Sequence, residues 1–382
     1  MALNIVVDEN IPFADEFFSS LGRVTRLSGR NLNAQHLRAA DILIVRSVTQ
    51  VNAALLSSTP VRFVGTCTIG IDHLDVDYLH AKGIVYHSAP GCNANSVVEY
   101  VFSALCQLGV NWNKKTVGII GCGNVGGRLY RRLLELGVQC RCYDPFLTSA
   151  QLSDLSSLEA VLACDIICLH APMTRSGPHP THHLLARPEL EQLITGAVLI
   201  NAGRGAVIDN VALLEVLKER DDLKVVLDVW ENEPNINTEL MNYVDIATPH
   251  IAGYSLDGKV AGTAMIYRAL CGYLSVDSVF SGEDFLSEST FESAQVKNTQ
   301  IENVHTNDVD FSRLQQAILA AYNINSDNIR MRKTLFDKTG GELDNAFDLL
   351  RKNYPVRREF YAHRDLFDEI SLCFNSMSRK NE

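Results

Sequence analysis

Residues 116–145 read TVGIIGCGNVGGRLYRRLLELGVQCRCYDP, and this stretch decides the fold. A short β-branched run, Thr116–Ile120, leads into Gly121-Cys122-Gly123-Asn124-Val125-Gly126. The glycine segment opens a helix-like stretch, Arg128–Leu136, that is followed by a second apolar run, Cys140–Tyr143. Strand, glycine turn and helix in that order make a dinucleotide-binding unit. Gly121 permits the tight turn, Gly123 lets the backbone approach a pyrophosphate, and Gly126 allows close helix–strand packing, with the helix N-terminus facing the phosphates. Asp144 lies 18 residues beyond Gly126, at the end of the second run. A carboxylate there accepts hydrogen bonds from ribose hydroxyls and repels a 2′-phosphate, which predicts NAD rather than NADP. Pro145 stands where an NADP site would want arginine.

Working outward from this unit, apolar runs at Ile166–Leu169, Val198–Asn201, Val225–Val229 and Ile246–Thr248 predict further strands, with helical segments between them. Upstream, Asn4–Val7, Ile42–Val45, Arg62–Gly65 and Ile84–Tyr86 form a separate alternating series. Both series call for parallel sheets with crossover helices. Between them Asn95–Gly109 carries apolar residues at helical spacing, with Asn93 or Asn95 placed to cap it, and Gly258–Leu274 predicts a helix that returns the chain toward the first series. From Glu283 to Asp308 the composition turns to Ser, Thr, Asn, Glu and Gln, an exposed connection with room for a short strand. Three helical faces follow, at Leu314/Ile318/Tyr322, Leu343/Phe347/Leu350 and Leu366/Phe367/Ile370/Phe374.

Composition narrows the function classes. The chain has 382 residues, with 34 lysines and arginines against 45 aspartates and glutamates, a net charge of −11. That sign repels nucleic acid and anionic lipid surfaces. The N-terminus lacks a secretory signal, and no apolar run approaches the ~20 residues needed to cross a bilayer, so a cytoplasmic protein with no membrane or nucleic-acid partner is expected. Ten cysteines, scattered singly and mostly within apolar segments, read as reduced, buried thiols. His179, His182 and His183 lie in a Gly-Pro-rich loop without matching Cys or carboxylate spacing, so no metal is expected.

Three clusters fall where strands of the second series end: Asn201-Ala202-Gly203-Arg204-Gly205, Asp228-Val229-Trp230-Glu231-Asn232-Glu233-Pro234 and Thr248-Pro249-His250-Ile251-Ala252-Gly253-Tyr254. In these motifs and their order the chain resembles the D-isomer-specific 2-hydroxyacid dehydrogenases over roughly residues 1–280. The resemblance implies that His250 is the base taking the hydroxyl proton, that Glu233 raises and orients the imidazole, and that Arg204 grips the substrate carboxylate. It places Gly121, Gly123, Asn124, Val125, Gly126, Asp144, Ala171, Ala202, Gly203, Arg204, Asp228 and Gly253 on the NAD side. Glu231 is the alternative partner for His250, and a surface ion pair the alternative role for Arg204.

Val45-Arg46-Ser47-Val48-Thr49, the segment Gly65-x-x-Thr68-x-Gly70-x-Asp72-His73, Ala89-Pro90-Gly91-Cys92-Asn93-Ala94 and the tail of ~100 residues are similar to one branch of that family, acting on a small phosphorylated 2-hydroxy acid. By this resemblance Ser47, Thr68 and Tyr254 contact substrate. Ala171, after His170, stands where the branch often has threonine. The expected fold class is α/β with two doubly wound parallel-sheet domains plus a mainly helical C-terminal α+β dimerisation domain. A flavodoxin-like substrate domain takes 1–93 with 254–282, a Rossmann NAD-binding domain takes 94–253, and the dimerisation domain of a homodimer takes 283–382. Arg351, Lys352, Arg357, Arg358 and Arg364 read as a solvated basic face, a phosphate contact across the dimer being the other reading. Two rival functions are a different hydroxyacid dehydrogenase, such as the phosphoglycerate enzyme, and a non-catalytic NAD-sensing corepressor of the same fold.

Overall fold

The computed structural model describes residues 3–286 and 306–367. Two compact units divide the chain, one formed by Met1–Asn93 with Tyr254–Ala294 and the other by Ala94–Gly253 with Gln295–Glu382.

The first unit is a five-stranded, all-parallel sheet: β1 (Leu3–Asp8), β2 (Gly22–Leu27), β3 (Ile42–Val45), β4 (Phe63–Thr66) and β5 (Val85–His87), in the order β2-β1-β3-β4-β5. This is the flavodoxin-like doubly wound order. β1, β3, β4 and β5 lie where the apolar runs predict them, and β2 has no counterpart among those runs. Its sequence, GRVTRL, is polar at every second or third position because it forms the sheet edge, with no residue fully buried. The helix Leu256–Leu274 closes one face of this sheet. Val260, Ala264, Ile266, Tyr267 and Leu270 pack with Ile5, Val7, Ile44 and Phe63 into one core. Gly65 makes room for it, since a Cβ there would collide with the Ile266 side chain.

The second unit carries a six-stranded parallel sheet: β6 (Val117–Ile120), β7 (Cys140–Tyr143), β8 (Ile166–Leu169), β9 (Val198–Asn201), β10 (Lys224–Leu227) and β11 (Ile246–Ala247), in the order β11-β10-β9-β8-β6-β7. Leu155 adds an isolated parallel bridge to Cys142 outside β7. Counting that remnant as a strand gives the reversal of strand order about β6 that marks a Rossmann sheet. The central strands β6, β8 and β9 are buried along their whole length, as strands covered on both faces must be.

The helix Ala94–Gln107 has 12 of its 14 residues buried, and the C-terminal helices supply part of its cover. Leu314, Ile318 and Tyr322, on the helix Thr306–Ala321 and just beyond it, are buried, and Ser103 Oγ donates to the Tyr322 carbonyl at 2.6 Å. Met331, Leu335, Leu343, Phe347 and Leu350, from the helices Ile324–Leu335 and Gly340–Lys352, join the core of the nucleotide-binding sheet. Asn328 accepts the Ala247 N–H at 3.0 Å, so this segment also satisfies the edge strand β11. The apolar faces at Leu314 and Leu343 are therefore covered within the same chain. Of the third face, Phe367 is buried, and Ile370 and Phe374 lie outside the described residues, as does most of the polar stretch after Glu283. The nine described cysteines are all buried and outside any disulfide; Cys373 lies outside the described residues.

Candidate active site

The fingerprint loop has the geometry its glycines demand. Gly121 turns with φ 85°, and a Cβ on it would press the Ala171 backbone at 2.6 Å. A Cβ on Gly126 would collide with the Gly121 carbonyl, whereas nothing lies within 4 Å of the position a Cβ would take on Gly123. The first and third glycines are thus required by the protein itself, and the second opens onto free space at the N-terminus of the helix Gly126–Glu135. No side chain caps that helix; its Gly127 N–H donates to the Gly123 carbonyl at 2.9 Å, and the N-terminus otherwise faces this open space, the place an anion would take. Asp144, at the end of β7, accepts the Cys122 N–H at 2.9 Å and the Phe146 N–H at 3.1 Å, which ties the carboxylate to the glycine loop. Facing this loop, β8 is followed by His170, whose two ring nitrogens are buried with no partner among the described residues, and burial pushes its imidazole down to about 4. Orphaned buried nitrogens beside Gly121 and Gly203, together with the open space at Gly123, fit a polar ligand along these strand ends. His170 is a site candidate that motif reasoning passed over; its one signal is its place at a strand's carboxyl end.

After β9, the buried Asn201 shapes the next loop. Its Oδ1 accepts the Gly203 N–H at 3.1 Å and its Nδ2 donates to the Arg204 carbonyl at 3.0 Å. A Cβ on Gly203 would meet the Leu169 and Ala171 carbonyls at 3.1 Å, and one on Gly205 would collide with the Trp230 backbone. These close approaches seat Ala202–Gly205 between the loops after β8 and β10. Arg204 is half-buried, and its Nη1 donates to the Gly203 carbonyl at 2.9 Å.

The loops after β10 and β11 are organised by Asp228, which is 1% exposed. Its Oδ1 accepts from the Thr248 hydroxyl at 2.6 Å and the Ile251 N–H at 2.8 Å, and its Oδ2 accepts the Ala252 N–H at 2.9 Å. Burial is the largest influence on this carboxyl and leaves it above its ordinary value, although the charge of His250, the Thr248 hydroxyl and the two N–H groups all act the other way. The Asp228 carbonyl also accepts the His250 N–H at 2.7 Å, and His250 sits at φ 57°, a left-handed conformation these bonds enforce.

His250 Nδ1 lies 2.7 Å from Glu233 Oε2, and the other Glu233 oxygen accepts the Trp230 N–H at 2.8 Å. Burial opposes ionisation of Glu233, but the charge of His250 and the hydrogen bond to it, the charge of Arg351 and the Trp230 N–H outweigh it and hold the carboxyl below its ordinary value. Glu231, the other carboxylate open to His250 on sequence grounds, pairs instead with His183 at 2.7 Å.

The C-terminal segment reaches the same loop. Arg357, 6% exposed, donates through Nη2 to the carbonyls of Ala252 and Ser96 and stacks its guanidinium 4.3 Å from the Tyr322 ring centroid. Glu359 accepts from the Ser96 hydroxyl at 3.2 Å, and Glu99 accepts the Phe360 N–H at 2.7 Å. Arg357 and Arg358 are thus buried, which corrects the reading of this basic cluster as a solvated face. Arg357 belongs to the packing around the Ala94 helix, where it meets the Ser96 carbonyl.

In the first unit, Arg46 pairs with the buried Asp8 at 3.1 Å. Thr68, half-buried after β4, is 2.8 Å from the Thr66 hydroxyl and donates to the Gly70 carbonyl at 3.2 Å. Thr66 in turn meets His73 Nε2 at 2.9 Å. Ser47 is exposed in the loop after β3, and Tyr254 is half-buried with the Lys259 ammonium over its ring.

An imidazole–carboxylate pair and an arginine at the strand ends of a Rossmann unit whose second strand closes on an acid is the arrangement of the NAD-dependent D-2-hydroxyacid dehydrogenases. The profile of the D-isomer specific 2-hydroxyacid dehydrogenase NAD-binding domain matches residues 96–252, and that of a domain of unknown function matches 294–364. An erythronate-4-phosphate dehydrogenase of Cellvibrio japonicus is 53% identical over 95% of this chain and 94% of its own length. One from Teredinibacter turnerae is 50% identical over 94% and 93%. The chain belongs to the erythronate-4-phosphate dehydrogenase family. Among solved structures, an NAD+-bound 3-phosphoglycerate dehydrogenase of Entamoeba histolytica superposes with a TM-score of 0.63 at 24% identity, covering 72% of this chain and 96% of its own. A D-lactate dehydrogenase of Aquifex aeolicus does so at 0.61 and 23%, covering 71% and 95%. These two share the fold.

Proposed function

We propose that the protein oxidises 4-phospho-D-erythronate at C2 to 3-hydroxy-2-oxo-4-phosphooxybutanoate with reduction of NAD+, a step of pyridoxal phosphate synthesis carried out in the cytoplasm by a homodimer. The observation that carries the chemistry is the 2.7 Å contact between His250 Nδ1 and Glu233 Oε2, which leaves Nε2 without a protein partner among the described residues. With its far nitrogen held by a carboxylate, the ring has one tautomer available and a lone pair at Nε2 to accept the C2 hydroxyl proton. Glu233 then stabilises the imidazolium. Arg204 offers a planar fork to the substrate carboxylate.

NAD, when bound, supplies the hydride acceptor. Its pyrophosphate is assigned to the Gly121–Gly126 loop and the helix behind it, its adenosine ribose to Asp144, and its nicotinamide end to the neighbourhood of Ala171, Ala202, Gly203, Asp228 and Gly253. Ser47, Thr68 and Tyr254 are the proposed substrate contacts of the first unit.

NADH formation on a panel of hydroxy acids tests this reading. 4-Phospho-D-erythronate should give the highest kcat/KM, well above 3-phosphoglycerate, D-lactate and unphosphorylated D-erythronate. A profile led by another acid replaces the substrate, and no turnover of any panel member would favour a cofactor-sensing role.

A further inference from the structure

On the far side of the Glu233 turn, the structure brings together two imidazoles and a carboxylate that sequence spacing keeps apart. His182, His183 and Glu231 each offer one ligand atom, and these atoms lie within 4.8 Å of one another. The two rings stack with centroids 3.9 Å apart and 21° between their planes. His183 Nε2 is 2.7 Å from Glu231 Oε1, and its Nδ1 is 3.6 Å from Asp209 Oδ2. The second oxygen of Glu231 accepts the Asn210 N–H at 2.9 Å. His183 is itself fixed, since its N–H donates to the Ala206 carbonyl at 2.8 Å. All three side chains are half-buried.

We propose that His182, His183 and Glu231 form a binding site for a zinc-class divalent cation, with Asp209 beside the far nitrogen of His183 and the remaining position open to water. A metal-bound histidine characteristically turns its second nitrogen to a carboxylate, which sets the tautomer and raises the ring's basicity. For His183 that carboxylate is Asp209, 3.6 Å from Nδ1, which closes to hydrogen-bond distance when the ring carries an ion. Glu231 has one oxygen occupied by a backbone N–H, which orients the other.

Two imidazoles and a carboxylate select a borderline cation such as Zn2+ over the hard, oxygen-seeking Mg2+ and Ca2+. Zn–N and Zn–O bonds of about 2.0–2.2 Å require the donor atoms to settle a little over 3 Å apart, and because an ion lies in the plane of each imidazole that binds it, His182 must rotate out of the stack for both rings to face the same ion. The hydrogen bond between His183 and Glu231 is then exchanged for two metal bonds. Glu231 and Glu233 belong to the same turn, so an ion here would tether the strap that holds His250 to the His183 loop.

The test uses the full chain, treated with chelator and dialysed, then titrated with ZnCl2 by calorimetry and with CoCl2 by visible absorption. The expected result is a single site with the d–d bands of tetrahedral Co2+ and no thiolate-to-cobalt charge-transfer band, which separates it from the buried cysteines. His182→Ala should weaken Zn2+ binding at least tenfold. Asp209→Asn should weaken it ~10–100-fold, the span seen when such a supporting carboxylate is lost, and asparagine still caps the helix that Asp209 starts. Thermal melts without metal confirm that both variants fold. Absence of binding, a thiolate band, or affinities unchanged in both variants would overturn the site; each is independent of whether the substrate proposed above is correct.

Discussion

Glu233→Gln isolates the charge of the carboxylate behind His250 while keeping its shape. In the wild type the imidazolium formed during oxidation hydrogen-bonds an ionised Glu233 across 2.7 Å. Glutamine can still accept the Trp230 N–H and one bond from His250, so only the charge is lost. A charge-assisted hydrogen bond contributes about 1.5–3 kcal/mol against roughly 1 for a neutral one, a loss of about 0.5–2 kcal/mol. At 1.36 kcal/mol per pH unit, the acid limb of kcat/KM moves to lower pH by about 0.4–1.5 units, and turnover near neutrality falls roughly 2–30-fold. Initial rates of NADH formation across pH measure both. The same coupling acts on stability. Glu233 is held below its ordinary value, so its contribution is present above the ordinary carboxylate value and is lost as pH falls through the lower folded one. The melting temperature of the wild type should therefore drop on acidification more steeply than that of the variant. An acid limb that stays in place in Glu233→Gln would refute the pairing as the source of the base's activation.

Arg357→Ala removes a buried cation that holds the Ala252 carbonyl, two residues past His250. Each charged hydrogen bond lost costs about 1.5–3 kcal/mol, so calorimetry should show a lower Tm, and kcat at a temperature where the chain is folded should fall with little change in NAD affinity. The fingerprint glycines should separate: Gly126→Ala destabilises the fold because its Cβ collides with the Gly121 carbonyl, whereas Gly123→Val folds but loses NAD affinity, read by melts and cofactor titration. Asp144→Ser should weaken NAD and relax discrimination against NADP, and an unchanged preference in steady-state kinetics would move the ribose contact elsewhere.

Much of this was legible in the residues. The Gly121–Gly126 loop and Asp144 announce a nucleotide-binding sheet because turn, close approach and ribose recognition each demand a residue type at a fixed place. The strand-end loops at Asn201, Asp228 and Thr248 are equally plain. β2 is hidden because an edge strand buries too little to show a hydrophobic pattern. Whether Glu231 or Glu233 serves His250 is undecidable from a turn two residues apart, and only the His183 ring, some fifty residues upstream, settles it. Arg357 looks like surface charge until the Ser96 and Ala252 carbonyls, more than a hundred residues distant, are placed around it. Periodicity finds the faces at Leu314 and Leu343, but not what covers them, which is the Ala94 helix and the core of the nucleotide-binding sheet.

The central claim is that His250 is the proton acceptor in a nicotinamide-dependent oxidation. His250→Ala, assayed with NAD+ and 4-phospho-D-erythronate, measures it most directly. The expected result is a fall in kcat of ~10²–10⁴, the span for a lost general base, with NAD+ affinity close to wild type in a variant that still melts cooperatively. Turnover within a few-fold of wild type would contradict it.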